Sequence, residues 1–121
     1  MPTQIINIAD KLNRINETST PKIIARINDY LVKLVKFTGD FIWHVHHDSD
    51  ELFYILSGDL EVHFRTGVKK MRPGDMIVIP KGVEHKPCAP EECHMMVIEP
   101  EGVLNTGNIE NERTLKKPDW I

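Results

Sequence analysis

Cysteine is scarce in this chain, positive charge is not in excess, and no apolar run approaches the length of a bilayer-spanning helix. Each shortage removes a class of function. Two cysteines, Cys88 and Cys93, among 121 residues are too few for a disulfide-built scaffold, and the absence of a CxxC pair excludes the common zinc–thiolate arrangement. Fifteen Lys and Arg against 18 Asp and Glu give a net charge of −3, which provides no broad basic footprint for phosphate backbones or anionic lipids. Neither nucleic acid nor a membrane is an expected partner. The opening MPTQIINIADKLNRINE has no basic segment followed by an apolar core. Cytoplasmic residence is therefore expected. In that reducing compartment Cys88 and Cys93, spaced to face each other across a hairpin, are expected as free thiols.

What is present describes a soluble globular protein: 40% hydrophobic and 27% charged residues, in a length suited to one domain with one sizeable core. Ile5, Ile8, Leu12 and Ile15 recur at helical spacing, and a polar run from Asn16 to Thr20 closed by Pro21 ends the segment. One short amphipathic helix is predicted there. From Lys22 to Glu99 the pattern becomes short β-branched and aromatic runs, IIARI, LVKLVKF, FIWHVH, ELFYIL, LEVHFR, MIVIP and MMVIE, separated by glycine-containing turns. This predicts an all-β, closed antiparallel architecture. The last twenty residues lose the strand period and read as a loop-rich tail whose apolar Trp120-Ile121 docks on the body.

The chemistry is concentrated in two stretches. In FIWHVHHDSDELFYILSG, His44 and His46 stand two apart, so on an extended strand both rings share one side. Glu51 follows the polar turn His47-Asp48-Ser49-Asp50, and the reversal lets a neighbouring strand bring its carboxylate to the same face. His85, in PGDMIVIPKGVEH, is the fourth candidate. Three imidazoles and one carboxylate make a donor set suited to Fe, Mn, Ni, Co, Zn or Cu as divalent ions and too nitrogen-rich for Ca or Mg. His47 is expected on the solvated turn, and His63 and His94 at exposed polar positions. Asp48 and Asp50 are expected as turn formers, Asp50 also steadying its neighbour.

At these residues the sequence resembles the cupins. Their first motif, Gly, a spacer, His-x-His, three or four residues, Glu, six residues, Gly, is matched by His44, His46, Glu51 and Gly58, with Gly39 one residue closer to His44 than usual. The second, Gly-x5-Pro-x-Gly-x2-His, is matched by Gly74, Pro80, Gly82 and His85, while the family's closing Asn is missing. Fifteen residues between Gly58 and Gly74, and the VLNTGN stretch at residues 103–108, are like small single-domain microbial cupins of the phosphomannose-isomerase-like type. The resemblance implies a double-stranded β-helix, or jelly-roll barrel, over residues 21–100, preceded by a helix and linker at 1–20 and followed by a tail at 101–121 that packs on the barrel. It also implies one divalent transition metal held by His44, His46, Glu51 and His85.

Phe41, Trp43 and Val45 alternate with the ligand-side residues Ile42, His44 and His46, so this strand is expected to be apolar outside as well as inside. The N-terminal helix, the first strands or a second copy of the chain would cover it, and a homodimer is expected. Ile42, Phe53, Ile55, Ile77 or Val78, and Val83 are the candidates for lining a small, dry pocket suited to a small organic acid, sugar or phenol. The resemblance implies a metal-dependent enzyme of the dioxygenase or isomerase type acting on a small oxygenated metabolite, the ligand set being that of cupin dioxygenases. The alternative is a non-catalytic binding or sensing module. A metal-free scaffold fits less well because both motifs are intact, and a DNA-binding sensor less well because there is no room for a helical domain.

Overall fold

The computed structural model of the protein describes residues 3–121; Met1 and Pro2, the first of the expected helix-and-linker segment, lie outside the described residues. One helix, α1 (Ile8–Asn13), precedes seven strands: β1 (Lys22–Ile27), β2 (Tyr30–Asp40), β3 (Glu51–Ser57), β4 (Leu60–Phe64), β5 (Gly67–Met71), β6 (Met76–Ile79) and β7 (His85–Pro100). All pairings between these strands are antiparallel, in the order β1-β2-β7-β3-β6, with β4 bridging β7 and β5. The sixteen-residue β7 explains how one sheet rolls up. Its first part, His85–Cys88, pairs with β4, its later part, His94–Ile98, pairs with β3, and β2 follows much of its other edge. A strand shared by successive partners in this way turns the sheet into a jelly-roll barrel.

Strand alternation decides what fills the barrel. Val35 and Phe37 of β2, Phe53 and Ile55 of β3, Leu60 and Val62 of β4, and Met95 and Val97 of β7 form the inner cluster. The expected interior residues Phe53 and Ile55 belong to it, and Ile77 and Val83 pack against it, whereas Val78 is exposed. A second apolar layer lies on the outside of the same strands. Val32 and Leu34 of β2, with Met96 and Ile98 of β7, are covered by Ile8, Leu12 and Ile15 of the N-terminal segment and by Ile121. At about 25 cal/mol for each Å² of apolar surface removed from water, this second layer is what holds the six-residue helix in place.

Four expectations need correction. Ile5 precedes the helix and is fully exposed, because the helix starts only where Asn7 Oδ1 caps it by accepting from the Asp10 amide at 2.9 Å. FIWHVH is extended but is not a regular strand; only His44 bridges, to His85. β5, GVKKM, is a strand although it reads as polar, because it is paired on one side only and buries just Met71. Cys88 and Cys93 lie along one continuous strand with no hairpin between them, and both are free and buried. Burial pushes each thiol up to about 11, so they are inert rather than nucleophilic.

The last residues bond to β1. The Ile23 amide donates to Asp119 O at 2.8 Å, and the Ile121 amide to Ile23 O at 3.0 Å. Ile121 enters the outer apolar layer while the Trp120 ring stays largely exposed. No helix of the described residues is long and apolar enough to cross a membrane.

Candidate metal centre

The stretch from Phe41 to Asp50 is held by hydrogen bonds to different neighbours on its two sides, which is why it is extended without belonging to a regular ladder. On the inner side, His44 and His85 exchange backbone bonds at 3.0 Å each, the Phe41 amide donates to Pro87 O at 2.9 Å, and the Gly82 amide to His46 O at 2.8 Å. On the outer side, the Val45 amide donates to Asn108 Oδ1 at 3.0 Å, and the Asn108 amide returns a bond to Val45 O at 3.0 Å. This two-residue alternation turns both histidine rings inward. Asp50 Oδ1 accepts from the Lys81 amide at 2.9 Å, tying the turn before Glu51 to the turn before His85.

The four predicted residues converge. The candidate ligand atoms of His44, His46, Glu51 and His85 lie within 4.8 Å of one another, and all four residues are buried. Two atoms each about 2.1 Å from one ion are at most about 4.2 Å apart, so only a small closure separates this cluster from a coordination sphere. His44 Nδ1 donates to Ile42 O at 2.9 Å and His85 Nδ1 to Val83 O at 3.0 Å. Each bond turns Nε2 of its ring into the cluster, where His85 Nε2 lies 3.2 Å from Glu51 Oε1. His46 Nε2 has no hydrogen-bond partner among the described residues, although Glu51 Oε1 lies 3.4 Å away, out of line for a bond. A buried nitrogen left in this state is costly, and a cation held by the cluster would satisfy it. The donor set and this orphaned atom both fit a divalent transition metal.

The electrostatics agree. Burial, then the neighbouring His85, lowers the His44 pKa to about 4, keeping that ring neutral as a metal ligand must be. Burial alone would raise Glu51, but the adjacent His46 and His85 rings and the Glu99 carboxyl hold it well below the usual carboxylate range. Glu99 moves the opposite way, raised by burial and then by the Glu51 charge.

The neighbours of the ligands differ from expectation at two positions. Ile42 belongs neither to the inner cluster nor to the cavity lining. Phe41 does not face outward: its ring stands edge-on to His44 at 5.4 Å between centroids and to Phe37 at 6.1 Å, and it lines the barrel cavity. The alternation slips because the segment joins no regular ladder between Phe41 and His44. Trp43 and Val45 do face away from the ligands. The Arg65 guanidinium covers Trp43 at 3.8 Å from the ring centroid, and the 103–108 stretch covers Val45. His47 is exposed, and His63 and His94 pair with the carboxylates two residues before them, Glu61 at 3.0 Å and Glu92 at 2.7 Å.

Lys33 and Glu99 were not among the residues singled out in the sequence, and Gly107 and Asn108 stood out only within the VLNTGN likeness, with no role at the site. Glu99 ends the inward series Met95, Val97, Glu99, and Lys33 begins the inward series Lys33, Val35, Phe37. Two opposite charges on interior-facing positions of adjacent strands were the available signal. With His44 and Glu51 they line a cavity of about 60 Å³, which shares Ser19, Phe37 and Phe41 with a cleft of about 480 Å³ bordered by Asp40 and Arg113.

A rolled antiparallel sheet with three histidines and a glutamate buried at one point defines a small jelly-roll protein with a candidate metal centre. Residues 31–99 match the cupin domain family, and the chain belongs to it. A cupin-2 domain containing protein from Shewanella frigidimarina is similar, with 50% identity, a TM-score of 0.78, and coverage of 79% of this chain and 94% of that one. Protein NMB1881 from Neisseria meningitidis is 37% identical with a TM-score of 0.74, over 80% of this chain and 99% of its own. The uncharacterized protein YdbB of Bacillus subtilis is 39% identical over 83 residues, 66% of this chain and 72% of that protein.

Proposed function

We propose that this cupin is a metal-dependent enzyme that binds one divalent transition metal through His44, His46, Glu51 and His85 and acts on a small oxygenated metabolite by dioxygenase- or isomerase-type chemistry. The observation that carries the reading is the buried His46 Nε2, unpaired among the described residues, within a cluster of three more ligand groups. An ion held there supplies a Lewis acid for a chelating carbonyl or hydroxyl oxygen and, if redox-active, a centre for oxygen chemistry. The chain's own contribution is positional. Ile42 O and Val83 O orient two rings, Phe41 and Phe53 keep water from one side, and the small cavity admits a ligand of few atoms.

The test is elemental analysis of protein purified without added metal, followed by oxygen-uptake assays against small diketones, thiols and phenols. Near-stoichiometric transition metal is expected in the wild type. His46→Ala should lose it while keeping the wild-type far-UV circular dichroism, since the apolar cluster rather than the ligands fills the barrel. Iron with oxygen consumption selects the dioxygenase and zinc without it the isomerase. Wild-type occupancy in His46→Ala, or none in the wild type, refutes the assignment.

A further inference from the structure

The metal reading leaves two buried charges inside the barrel unused. Lys33 on β2 and Glu99 on β7 are 3% and 2% exposed, and Lys33 Nζ donates to Glu99 Oε1 at 2.9 Å. Lys33 lies opposite Val97 in the β2–β7 register, so Glu99, two residues on, is its diagonal neighbour on the inner face. A buried pair of this kind is seldom kept for stability, because well-packed apolar replacements are commonly neutral or stabilising. Its hydrogen-bonding capacity is also incomplete. Glu99 Oε2 is buried and makes no bond of normal hydrogen-bond geometry among the described residues, although the Glu51 carboxyl stands close enough to shift it, and Lys33 Nζ, with three protons to give, makes one bond.

Both side chains line the cavity shared with His44 and Glu51. An orphaned carboxyl oxygen beside spare ammonium protons is complementary to a group that both accepts and donates, which is a hydroxyl. A hydroxyl also suits Oε2 in either protonation state, accepting from it or donating to it. A second carboxylate would instead bring negative charge against Glu51 and Glu99, and a methyl group would leave both polar groups unpaired.

We propose that Lys33 and Glu99 form a hydroxyl-reading subsite, so that the ligand chelated at the His44–His46–Glu51–His85 centre is a small polyhydroxylated acid or carbonyl compound whose additional hydroxyl sits between Lys33 Nζ and Glu99 Oε2. This deepens the metal-enzyme reading and rests on it for the chelating half of the ligand. Sites that hydrogen-bond a hydroxyl reject analogues lacking it far more strongly than apolar pockets reject a missing methylene.

The probes are glycerate and lactate, which share a chelating α-hydroxy acid and differ in one further hydroxyl. Calorimetric titration into nickel-loaded protein is expected to show glycerate binding tighter by about tenfold or more. Lys33→Met/Glu99→Leu removes both charges together and should bring the ratio to about one with nickel stoichiometry unchanged. Lys33→Gln/Glu99→Gln, which keeps polar groups of similar length, should restore a preference for glycerate and also serves if the apolar pair does not fold. Equal affinities in the wild type, a preference that survives Lys33→Met/Glu99→Leu, or none in the double glutamine variant overturns the subsite and leaves the metal centre standing. A wild type that takes up no nickel yet prefers glycerate supports the subsite and sinks the metal centre; one that binds neither nickel nor glycerate overturns both.

Discussion

His44 shows how one side chain can be prepared for a metal at the expense of the metal-free protein. Its ring is buried, donates from Nδ1 to Ile42 O at 2.9 Å and stands near His85, and its pKa falls from 6.5 to about 4, through burial first and the neighbouring His85 second. Between those two values the unfolded chain binds a proton at this residue that the folded chain refuses, so stability falls as pH drops from about 6.5 to about 4 and then levels off. At about 1.4 kcal/mol per pKa unit the full effect is about 3 kcal/mol. Two carboxyl groups add known signs. Glu51, depressed in the fold, contributes stability above the ordinary carboxylate range that is lost as pH falls through its folded value. Glu99, raised in the fold, gains stability as pH falls through its own. Urea unfolding of metal-stripped wild type is therefore expected to lose midpoint between pH 6.5 and 4 more steeply than that of His44→Gln, in which both carboxyl groups remain. Parallel curves would show that His44 protonates freely in the folded state.

At the scale of elements, the 103–108 stretch does more than cover the barrel, because it completes the backbone bonding of the residue between two ligands. Gly107 has φ +59°, and a Cβ there would strike Val45 O and come within 3.0 Å of His44 Cδ2. Gly58 is a comparable close approach elsewhere, with φ +73° and a Cβ position 2.5 Å from Glu92 O. Gly107→Ala should push the tail away from Val45 and release His44, lowering metal affinity by about 10- to 100-fold, the usual scale for losing an orienting partner. Asn108→Ala, which removes the acceptor for the Val45 amide, should act in the same direction. Competition with a fluorescent chelator checks both, and wild-type affinity in Gly107→Ala would reduce the tail to a cover. The sequence carried no sign of this role, since VLNTGN has no strand or helix period. The four candidate ligands were legible because extended backbone preserves a two-residue alternation even where the ladder is irregular, and because glycine turns fix where Glu51 and His85 fall. Phe41 was misplaced because that alternation slips where no partner strand enforces it. β5 was hidden because an edge strand needs no apolar face, and Glu99 because a charge closing an apolar run reads as a strand end rather than as a barrel interior.

For the whole molecule, the candidate ligands come from three separated stretches, 44–46, 51 and 85, while the inner and outer apolar layers are built mainly from other residues. The barrel therefore does not need the ion to form, and an ion bound to the folded cluster acts as an added cross-link rather than as a nucleus. Binding to the folded state alone stabilises by RT ln(1 + [L]/Kd), about 2.7 kcal/mol at a hundredfold excess over Kd. For a domain of this length that is a rise in Tm of roughly 10 °C. Protein stripped with a chelator and then reloaded with nickel should recover that rise, whereas His46→Ala should melt at one temperature with or without nickel because its cluster has lost a ligand. A stripped wild type that is unfolded at room temperature would instead make the ion part of the folding nucleus, and the independence of the apolar layers would be lost. Equal melting of stripped and nickel-saturated wild type would place any bound nickel outside the buried cluster, since an ion gripped by His44, His46, Glu51 and His85 cannot be retained by the unfolded chain with the same affinity.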